Sequence, residues 1–526
     1  MNHFTKNNTL QLFKRSLLVA AVSVSFNQHA LAVEFTTDSG FTIDIDTTLG
    51  YSGQWRLANQ STIVQEQDPV LAILSDDGNN NFDKEDMTQN QLSFSVDADI
   101  QYGDSGLFLR SRGWYDEVYD NDSLSSSKAF QRNGLDEHKS KIELLDAFFY
   151  TNIDIGDHLL SLRIGDQVVS WGESMFVSGG ISSAQGPVDA VKANAPGVEL
   201  KDIFMPVGQV FAEIDLTDSI SVAAYYQYDW EKSRIDAPGS YFSVLDLWGY
   251  GVVGDISDIG LPVVEIEPTD NQWGIALRYL AESLNNTEFG FYALEYNDTL
   301  PSIRILPPLF GPEIALTYGE GIKLYGASFG TVVGDTNISG EISYRKNQPL
   351  QLNIPGAFYY GTGETVQAQI SVIHIVGNTP LTDNLTLFGE IGHNRATNVD
   401  EDDVSKLLGI DVNNIDGSLD NGKKGSTFVG RATAEYFSIF PATDMTVSVT
   451  YRQDFAGTAP TAFLFVEDKK DLSINVDFIY DSHSFGASYV NYLTDLEEIN
   501  SEGKPIELLH LSADRDYASV YYKYRF

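Results

Sequence analysis

The sequence predicts an all-β fold, a transmembrane antiparallel up-and-down β-barrel of about 18 strands (16–18) with long outer loops. Three observations predict it: apolar and polar residues alternate in short segments, short and long connections alternate along the chain, and the last strand ends on an aromatic residue. The composition agrees, because 12% of the 526 residues are aromatic and the chain has 44 Gly beside only 17 Pro. One barrel therefore accounts for a length that could otherwise hold two or three soluble domains.

The alternation of side chains defines the individual strands. It is clearest in residues 92–100, where Leu, Phe, Val, Ala and Ile occupy every second position. A strand of this kind places its apolar residues toward lipid and the residues between them toward the lumen. Applied to the whole chain, the pattern predicts strands that begin near residues 41, 90, 106, 142, 159, 206, 219, 270, 286, 320, 336, 364, 383, 426, 443, 470, 483 and 515.

The connections between these strands support the same topology. The short ones, such as Gly103–Ser105 and Gly156–His158, consist of turn-forming residues. Outer-membrane barrels have tight periplasmic turns and long outer loops, and an even strand count leaves both termini in the periplasm. The long connections cover roughly residues 58–89, 120–141, 171–205, 231–269, 298–319, 347–363, 396–425, 455–469 and 494–514.

Both ends of the sequence indicate export to the outer membrane of a Gram-negative bacterium. Residues 1–32 have the form of a signal peptide: Lys14 and Arg15 precede the apolar run 16–26, and Ala30-Leu31-Ala32 supplies the cleavage site. Residues 33–526 are then a single barrel domain surrounded by outer-membrane lipid and lipopolysaccharide. The last strand carries a barrel-insertion signal for the barrel-assembly machinery, formed by Val520, Tyr522, Tyr524 and Phe526.

The charge and the residue types exclude several functions. A net charge of −41 argues against nucleic acid as a partner, because such binding needs clustered Lys and Arg. The absence of cysteine excludes thiolate metal sites and cysteine nucleophiles, and no histidine has a partner at catalytic spacing. We therefore expect no cofactor and no enzymatic activity. Acidic loops such as Asp400–Asp403 either bind divalent cations that bridge lipopolysaccharide or reflect adaptation to a salty medium.

Alternation also selects residues that face the lumen on four neighbouring strands. It places Leu145 toward lipid, and it places Gln101, Trp114 and Trp171 toward the lumen. The charged residues among these lumen-facing positions either form an ion-pair lattice that stiffens the wall or act as a selectivity ladder, and the two roles are compatible. The lumen and selectivity candidates are Asp97, Asp99, Arg110, Arg112, Asp146, Arg163 and Gln167.

One residue breaks this alternation. Asp166 falls on the lipid-facing side of an otherwise regular strand, where a charge is costly. Either Gly165 introduces a bulge, or the strand leaves the wall early and the following residues fold inward. The second option makes residues 171–205 a lumen plug or constriction, with Trp171, Gly172, Glu173 and Ser174 as the constriction-loop candidates.

A single motif suggests a metal. Asp77, Asn79, Asn81 and Asp83 space oxygen atoms by two residues, as calcium loops do. Phe82 and Thr88, however, occupy the sixth and twelfth positions, where calcium loops carry Gly and Glu. The pattern favours an Asx-rich turn, with calcium as a weak alternative.

Several motifs resemble a Gram-negative family of long single-chain outer-membrane proteins of unknown function. They are Leu144–Ala147, Leu162–Ser174 with its Trp-Gly-Glu-Ser box, Asp77–Asp83, Pro196–Lys201 and Gly239–Ser243. The resemblance covers essentially the whole mature chain. It implies partnership with an inner-membrane transporter of the resistance-nodulation-division type and with a periplasmic lipoprotein-sorting-like protein. Some members resemble uptake proteins for alkanes or other hydrophobic compounds.

The sequence thus predicts an outer-membrane channel for small hydrophobic molecules, such as hydrocarbons or lipid-like compounds. One alternative is a porin for polar solutes with a lumen lined by Arg and Asp. The other is a non-conducting outer-membrane component of an export or assembly system that serves an inner-membrane transporter.

Overall fold

The computed structural model describes residues 33–63, 77–120, 129–253, 261–269, 271–305, 313–354, 358–420 and 422–526. The expected signal peptide, residues 1–32, lies outside them. The strands are β1 (Val33–Thr36), β2 (Thr42–Arg56), β3 (Met87–Tyr102), β4 (Ser105–Asp116), β5 (Ser140–Ile155), β6 (His158–Gln167), β7 (Val207–Thr217), β8 (Ile220–Gln227), β9 (Val263–Ile266), β10 (Gln272–Ala281), β11 (Thr287–Tyr296), β12 (Ser302–Ile305), β13 (Ile314–Thr317), β14 (Ile322–Val333), β15 (Thr336–Gln351), β16 (Tyr360–Gly377), β17 (Asn384–Val399), β18 (Lys424–Phe440), β19 (Thr443–Ala456), β20 (Lys470–Tyr480), β21 (His483–Asn491) and β22 (Tyr517–Arg525).

Eighteen of these strands form a closed antiparallel barrel: β2–β8, β10, β11 and β14–β22. Each pairs with its neighbours in chain order, and β22 closes the barrel by pairing with β2, from Thr48 opposite Arg525 to Arg56 opposite Tyr517. The short β1 folds back on β2. The predicted fold is confirmed, and every barrel strand begins within four residues of its predicted start.

The two ends of the barrel differ in their connections. Tight turns such as Gly103–Asp104 and Asp481–Ser482 join strands at one end, the short-turn end, where β2 begins and β22 finishes. The long connections all lie at the opposite, long-loop end. Strands β9, β12 and β13 form a small separate sheet within those loops, buried around Leu245, Trp248 and Ile314.

Short helices occupy the connections. They are α1 (Asp77–Asn81), α2 (Ala129–Lys139), α3 (Ala190–Ala193), α4 (Leu200–Ile203), α5 (Asp403–Leu408), α6 (Ile415–Ser418) and α7 (Leu496–Ser501), with 3-10 turns at Val118–Asp120, Ile181–Ala184, Glu282–Leu284 and Leu508–Asp514. In the part of the chain that the structure describes, no helix combines the length and the apolar character needed to cross a bilayer.

The outer face of the barrel is apolar at alternate positions. On β10, for example, Trp273, Ile275, Leu277 and Tyr279 are exposed, while Ala276 between them is buried. This pattern is what a lipid-facing wall requires, because side chains on a strand point alternately to its two faces.

The prediction that Leu145 faces lipid is wrong. The pairing of β4 with β5 shifts by one residue between Leu109 and Ser111, so β5 carries a β-bulge at Leu145 and Asp146. Leu144 before the bulge is 59% exposed, whereas Leu145 is 5% exposed. The extra residue reverses the alternation, and a bulge of this kind has no apolar–polar signature in the sequence.

Candidate functional site

Strand β6 leaves the barrel wall early, and the chain that follows turns inward. Its pairing with β5 and β7 runs in unbroken register to Asp166 and Gln167, so no bulge accounts for the position of Asp166. Gly165 has φ +128°, and a Cβ there would lie 2.2 Å from the carbonyl oxygen of Ala147, so only glycine fits this bend. Residues 168–206, which connect β6 to β7, are called the lumen segment below.

Trp171 begins the lumen segment in a buried aromatic cluster. Its ring lies 5.1 Å from that of Tyr225 and 6.1 Å from that of Tyr292, measured between centroids, and only 3% of the residue is exposed. Ile181 of the same segment and Leu324 of β14 complete the cluster. The burial of two aromatic neighbours and a tryptophan fixes the start of the segment against the inner face of the wall.

Gly172 and Glu173 lie against a carboxylate of strand β15. Glu341 of β15 accepts hydrogen bonds from the backbone N–H of Glu173 at 2.6 Å and of Ile181 at 2.7 Å. A Cβ on Gly172 would lie 2.5 Å from the same carboxylate, and its φ of +106° also favours glycine. The Gly-Glu part of the Trp-Gly-Glu-Ser box therefore contacts the carboxylate of Glu341.

A second buried carboxylate holds the next turn. Glu390 of β17 accepts from the backbone N–H groups of Met175, Phe176 and Val177, at 3.2, 2.5 and 2.8 Å. Ser371 of β16 donates its hydroxyl to Glu390 at 3.0 Å. Ser174 closes the turn by donating to the carbonyl of Val177.

Cationic and amide side chains hold the carbonyls of the same stretch. Arg345 of β15 donates to the carbonyl oxygens of Gly179 and Gly180 at 2.7 and 2.8 Å. Gln367 of β16 donates to the carbonyl of Ser178 at 2.8 Å. We call this wall, β14–β17 with Glu341, Arg345, Gln367 and Glu390, the pinned side.

The opposite wall, β2–β5 with β22, carries ion pairs and is called the charged side. Arg110 contacts Asp97 at 2.8 Å and Asp146 at 3.2 Å. Asp99 accepts from Tyr150 at 2.8 Å and from Gln101 at 2.7 Å. The structure thus brings Asp97, Arg110 and Asp146 together, as expected of an ion-pair lattice.

Arg112 belongs to a closed ring of four charges. It contacts Glu143 at 2.7 Å and Asp189 at 2.5 Å, and Arg234 contacts Glu143 at 2.5 Å and Asp189 at 3.4 Å. Arg112 and Asp189 are buried, and the side chains of Glu143 and Arg234 are only 9% and 14% exposed. This ion quartet joins β4 and β5 to the lumen segment through Asp189 and to the β8–β9 connection through Arg234.

Lys192 of α3 lies on the aromatic face of Trp114. Its Nζ is 3.9 Å from the ring centroid and 3.3 Å from Oε1 of Gln91. Asp189 caps α3 by accepting from the backbone N–H of Lys192 at 3.2 Å. Burial lowers the pKa of Lys192 to about 8, although Asp189 acts in the opposite direction.

Two cavities remain between the lumen segment and the charged side. A loop-side cavity of about 60 Å³ is lined in part by Lys141, Arg234 and Asp236, and burial raises the pKa of Asp236 to about 7. A turn-side cavity of about 90 Å³ is lined in part by Ser93 and Lys523. Lys192, Trp114, Gln91 and Ala195 line both cavities.

The other candidates lie elsewhere. Arg163 stacks on Phe211 of β7 at 4.5 Å from its ring centroid, away from the ion quartet. Gln167 and Gln209 donate to each other's carbonyl oxygens at 2.9 and 2.8 Å, at the point where β6 ends. At the chain end, Val520 and Tyr522 are exposed, whereas Tyr524 packs on the rings of His483 and Phe526.

The weak calcium candidate lies in and after α1. Asn79 accepts from Arg515, and Asn81 donates to the carbonyl of Gly239 at 2.8 Å, so both side chains contact other loops. The backbone N–H of Asp83 donates to Asp86 at 2.8 Å. Among the described residues, no three His, Asp or Glu side chains are grouped closely enough to hold a metal ion.

Sequence reasoning missed the residues that hold the lumen segment. These are Glu143, Asp189, Lys192, Arg234, Glu341, Arg345, Gln367 and Glu390. The signal for four of them was available, because Glu341, Arg345, Gln367 and Glu390 occupy the positions between lipid-facing residues on β15, β16 and β17. Glu143 was hidden by the bulge in β5, and Asp189 and Arg234 lie in irregular segments where alternation carries no information.

The geometry is that of a closed barrel with an inward-folded connection. The sequence of the chain shows to which protein family it belongs. The chain belongs to the family described as Protein of unknown function (DUF1302), whose sequence pattern matches residues 13–526. No curated protein sequence matches the chain.

Solved structures with a similar fold include OccK2 (OpdF) of Pseudomonas aeruginosa in complex with glucuronate, at a TM-score of 0.40 and 10% identity. A BenF-like porin from Pseudomonas fluorescens Pf-5 gives 0.43 and 10%, and the outer membrane channel DcaP of Acinetobacter baumannii gives 0.36 and 10%. Each similarity covers 94% of this chain and 99% of the other. At these scores the similarity carries no argument about the function of this chain.

Proposed function

We propose that this chain is an outer-membrane channel of a Gram-negative bacterium for small polar solutes, with its long loops outside and its termini in the periplasm. A barrel of this strand number encloses an aqueous channel unless something fills it. The observation that carries the proposal is the lumen segment, which bridges the pinned and charged sides and leaves two small cavities whose linings include charged side chains. The segment therefore acts as a constriction.

Conductance across a planar lipid bilayer tests the constriction. Wild-type protein is expected to give small, steady single-channel steps. The double variant Glu341→Gln, Glu390→Gln replaces two carboxylates that together accept hydrogen bonds from five backbone N–H groups. Because hydrogen bonds to a charged acceptor are stronger than those to an amide, we expect larger and noisier single-channel steps in this variant. Glu364→Gln is the matched control, because Glu364 pairs with the exposed Lys346 and does not touch the lumen segment. Equal conductance in all three proteins contradicts a constricting role.

A hydrophobic cargo, such as a hydrocarbon or lipid-like compound, is the second candidate. The observation that favours it is the aromatic lining of the loop-side cavity by Trp114, Tyr119, Tyr241, Phe242 and Tyr250. Deletion of the gene separates the two cargo classes. Growth lost on small polar carbon sources but kept on long-chain hydrocarbon supports the polar channel, and the reverse supports hydrophobic uptake.

The non-conducting alternative makes a different prediction in the same deletion strain. An outer-membrane component of an export system loses export of a compound without a growth defect on any carbon source. Its expected partners, a resistance-nodulation-division-type transporter and a lipoprotein-sorting-like protein, are tested by cross-linking the native protein in cells and identifying what co-purifies.

A further inference from the structure

The two cavities lie on the same side of the lumen and meet at one short piece of chain. Both are lined by Gln91 and Trp114 of the wall and by Lys192 and Ala195 of the lumen segment. The loop-side cavity extends toward the end of β2 and the start of β3, and the turn-side cavity extends toward Lys523 near the end of β22. These four shared residues therefore lie where the two cavities meet.

One cation–π contact and two hydrogen bonds join residues 192–195 to the wall at this point. Lys192 rests on Trp114 and Gln91, and the carbonyl oxygen of Asn194 accepts from Gln54 at 3.3 Å. Helix α3 itself has only four residues. On the pinned side, by contrast, buried carboxylates hold the backbone of the segment. Residues 192–195 are thus held to the wall by contacts that a polar or charged solute can replace.

The wall opposite these residues leaves room for a solute. Gly50 and Ser93 are paired across β2 and β3, and Ser52 pairs with Gln91, so small side chains share this face. The same strip continues at Thr48 and Ser95 and lines the turn-side cavity. Their hydroxyl groups can donate to or accept from a polar molecule.

The lining of the turn-side cavity has more cationic than anionic side chains in a protein that is strongly acidic, although Arg112 is paired within the ion quartet and Lys201 lies 3.8 Å from Asp97. This lining contains four cationic side chains, Arg112, Lys192, Lys201 and Lys523, against the carboxylates of Glu199 and Asp202. The loop-side cavity has three cations against four carboxyl groups, and one of these, Asp236, has its pKa raised to about 7 by burial. An excess of positive charge in a narrow passage favours anions.

Building on the proposed channel function, we propose that solute passes along the charged side through both cavities. Lys192 closes this route where the cavities meet and selects small organic anions such as carboxylates. The solute displaces the ammonium group from Trp114 and Gln91 as it passes, and its negative charge replaces the cation–π contact as the partner of Lys192.

Reversal potentials in a KCl gradient test the selectivity. Wild-type protein is expected to prefer chloride over potassium, and Lys192→Ala is expected to raise the conductance and lose most of that preference. Lys346→Ala is the matched control, since Lys346 is half exposed and lines neither cavity. A preference for potassium in the wild type, or an unchanged preference in Lys192→Ala, overturns the assignment of Lys192.

The absence of cysteine allows the route to be mapped separately. Ser93→Cys places a single thiol in the turn-side cavity, and Ser473→Cys places one on β20, which lines neither cavity. A sulfonate-carrying methanethiosulfonate reagent is expected to at least halve the current through Ser93→Cys and to leave Ser473→Cys unchanged. The opposite pattern overturns the route while leaving the channel function intact.

A lack of conductance in the planar bilayer also tests the proposal. Wild-type protein that does not conduct, with Lys192→Ala that does, supports Lys192 as the closure. If neither protein conducts although both form heat-modifiable barrels on gels, the channel function is overturned together with the route.

Discussion

The two sides of the lumen hold the same segment by different kinds of interaction. On the pinned side, Glu341 and Glu390 accept hydrogen bonds from five backbone N–H groups of residues 173–181. On the charged side, the side chain of Asp189 forms ion pairs with Arg112 of β4 and with Arg234, and backbone hydrogen bonds link residues 188 and 190 to Arg234 of the β8–β9 connection rather than to a barrel strand. Backbone contacts fix the path of the chain, whereas side-chain ion pairs can exchange for a solute or for ions. From this difference we propose that the lumen segment has an anchored half and a movable half.

The largest expected effect follows from removing a charge from the ion quartet. Asp189→Asn leaves Arg112 and Arg234 sharing Glu143, and breaking a buried ion pair in this way costs about 3–5 kcal/mol. We expect backbone amides of residues 189–195 to exchange hydrogen much faster in detergent micelles, with residues 173–181 unchanged. Asp218→Asn, in an exposed short turn, is the control. Equal hydrogen exchange at residues 189–195 in the wild type, Asp189→Asn and Asp218→Asn contradicts the proposed difference between the two sides of the lumen.

A smaller effect is expected from the anchored half. Gly172→Ala introduces a Cβ 2.5 Å from the Glu341 carboxylate at a φ of +106°. The left-handed backbone alone costs a non-glycine residue about 1–2 kcal/mol. We expect faster exchange at residues 173–181 with little change at 189–195, the reverse of the Asp189 result. Gly389→Ala on β17 is the control, because a Cβ there meets no atom within 4 Å.

The barrel could be predicted from the sequence, but the constriction only in part. Alternation located all the barrel strands because one face meets lipid and the other meets water, which makes the signal local. It also led to Arg110 and Asp97, since each lies on a regular strand. The pinned-side partners of the lumen segment are more than a hundred residues away from it, as Glu390 is from Phe176, and no local pattern encodes such a pairing.

Two local features at the start of the lumen segment could be predicted from the sequence only in part. Asp166 on a lipid-facing position indicated that β6 leaves the wall, and the chain does leave there. The Trp-Gly-Glu-Ser box marked the start of the segment, but its partner Glu341 could not be inferred from it. The bulge at Leu145 and Asp146 depends on how β4 and β5 pair, so alternation alone gave the wrong side for Leu145.

The charged side is also expected to respond to pH through Lys192. Its pKa is lowered to about 8 in the closed segment, so the closed state binds fewer protons than an open, solvated state between pH 8 and the ordinary lysine pKa. Closure therefore becomes more favourable as pH rises through that window, by up to about tenfold per unit in the opening equilibrium. Hydrogen exchange at residues 189–195, corrected for its intrinsic pH dependence, measures this. Lys192→Met should remove the dependence, and a dependence that persists in that variant assigns it to another group.

The smallest effect is expected where the lumen segment meets solvent. Glu199 contacts Lys523 at 3.0 Å and Arg525 at 2.9 Å, but its side chain is 36% exposed. Exposed pairs contribute about 0.2–1 kcal/mol and are screened by salt. Glu199→Gln should therefore change exchange at residues 196–203 slightly at low salt and not at all at high salt. The Asp189→Asn effect should persist at high salt, because the quartet is buried. If salt abolishes both effects, the quartet is accessible to ions in solution, and the charged side is open in its resting state.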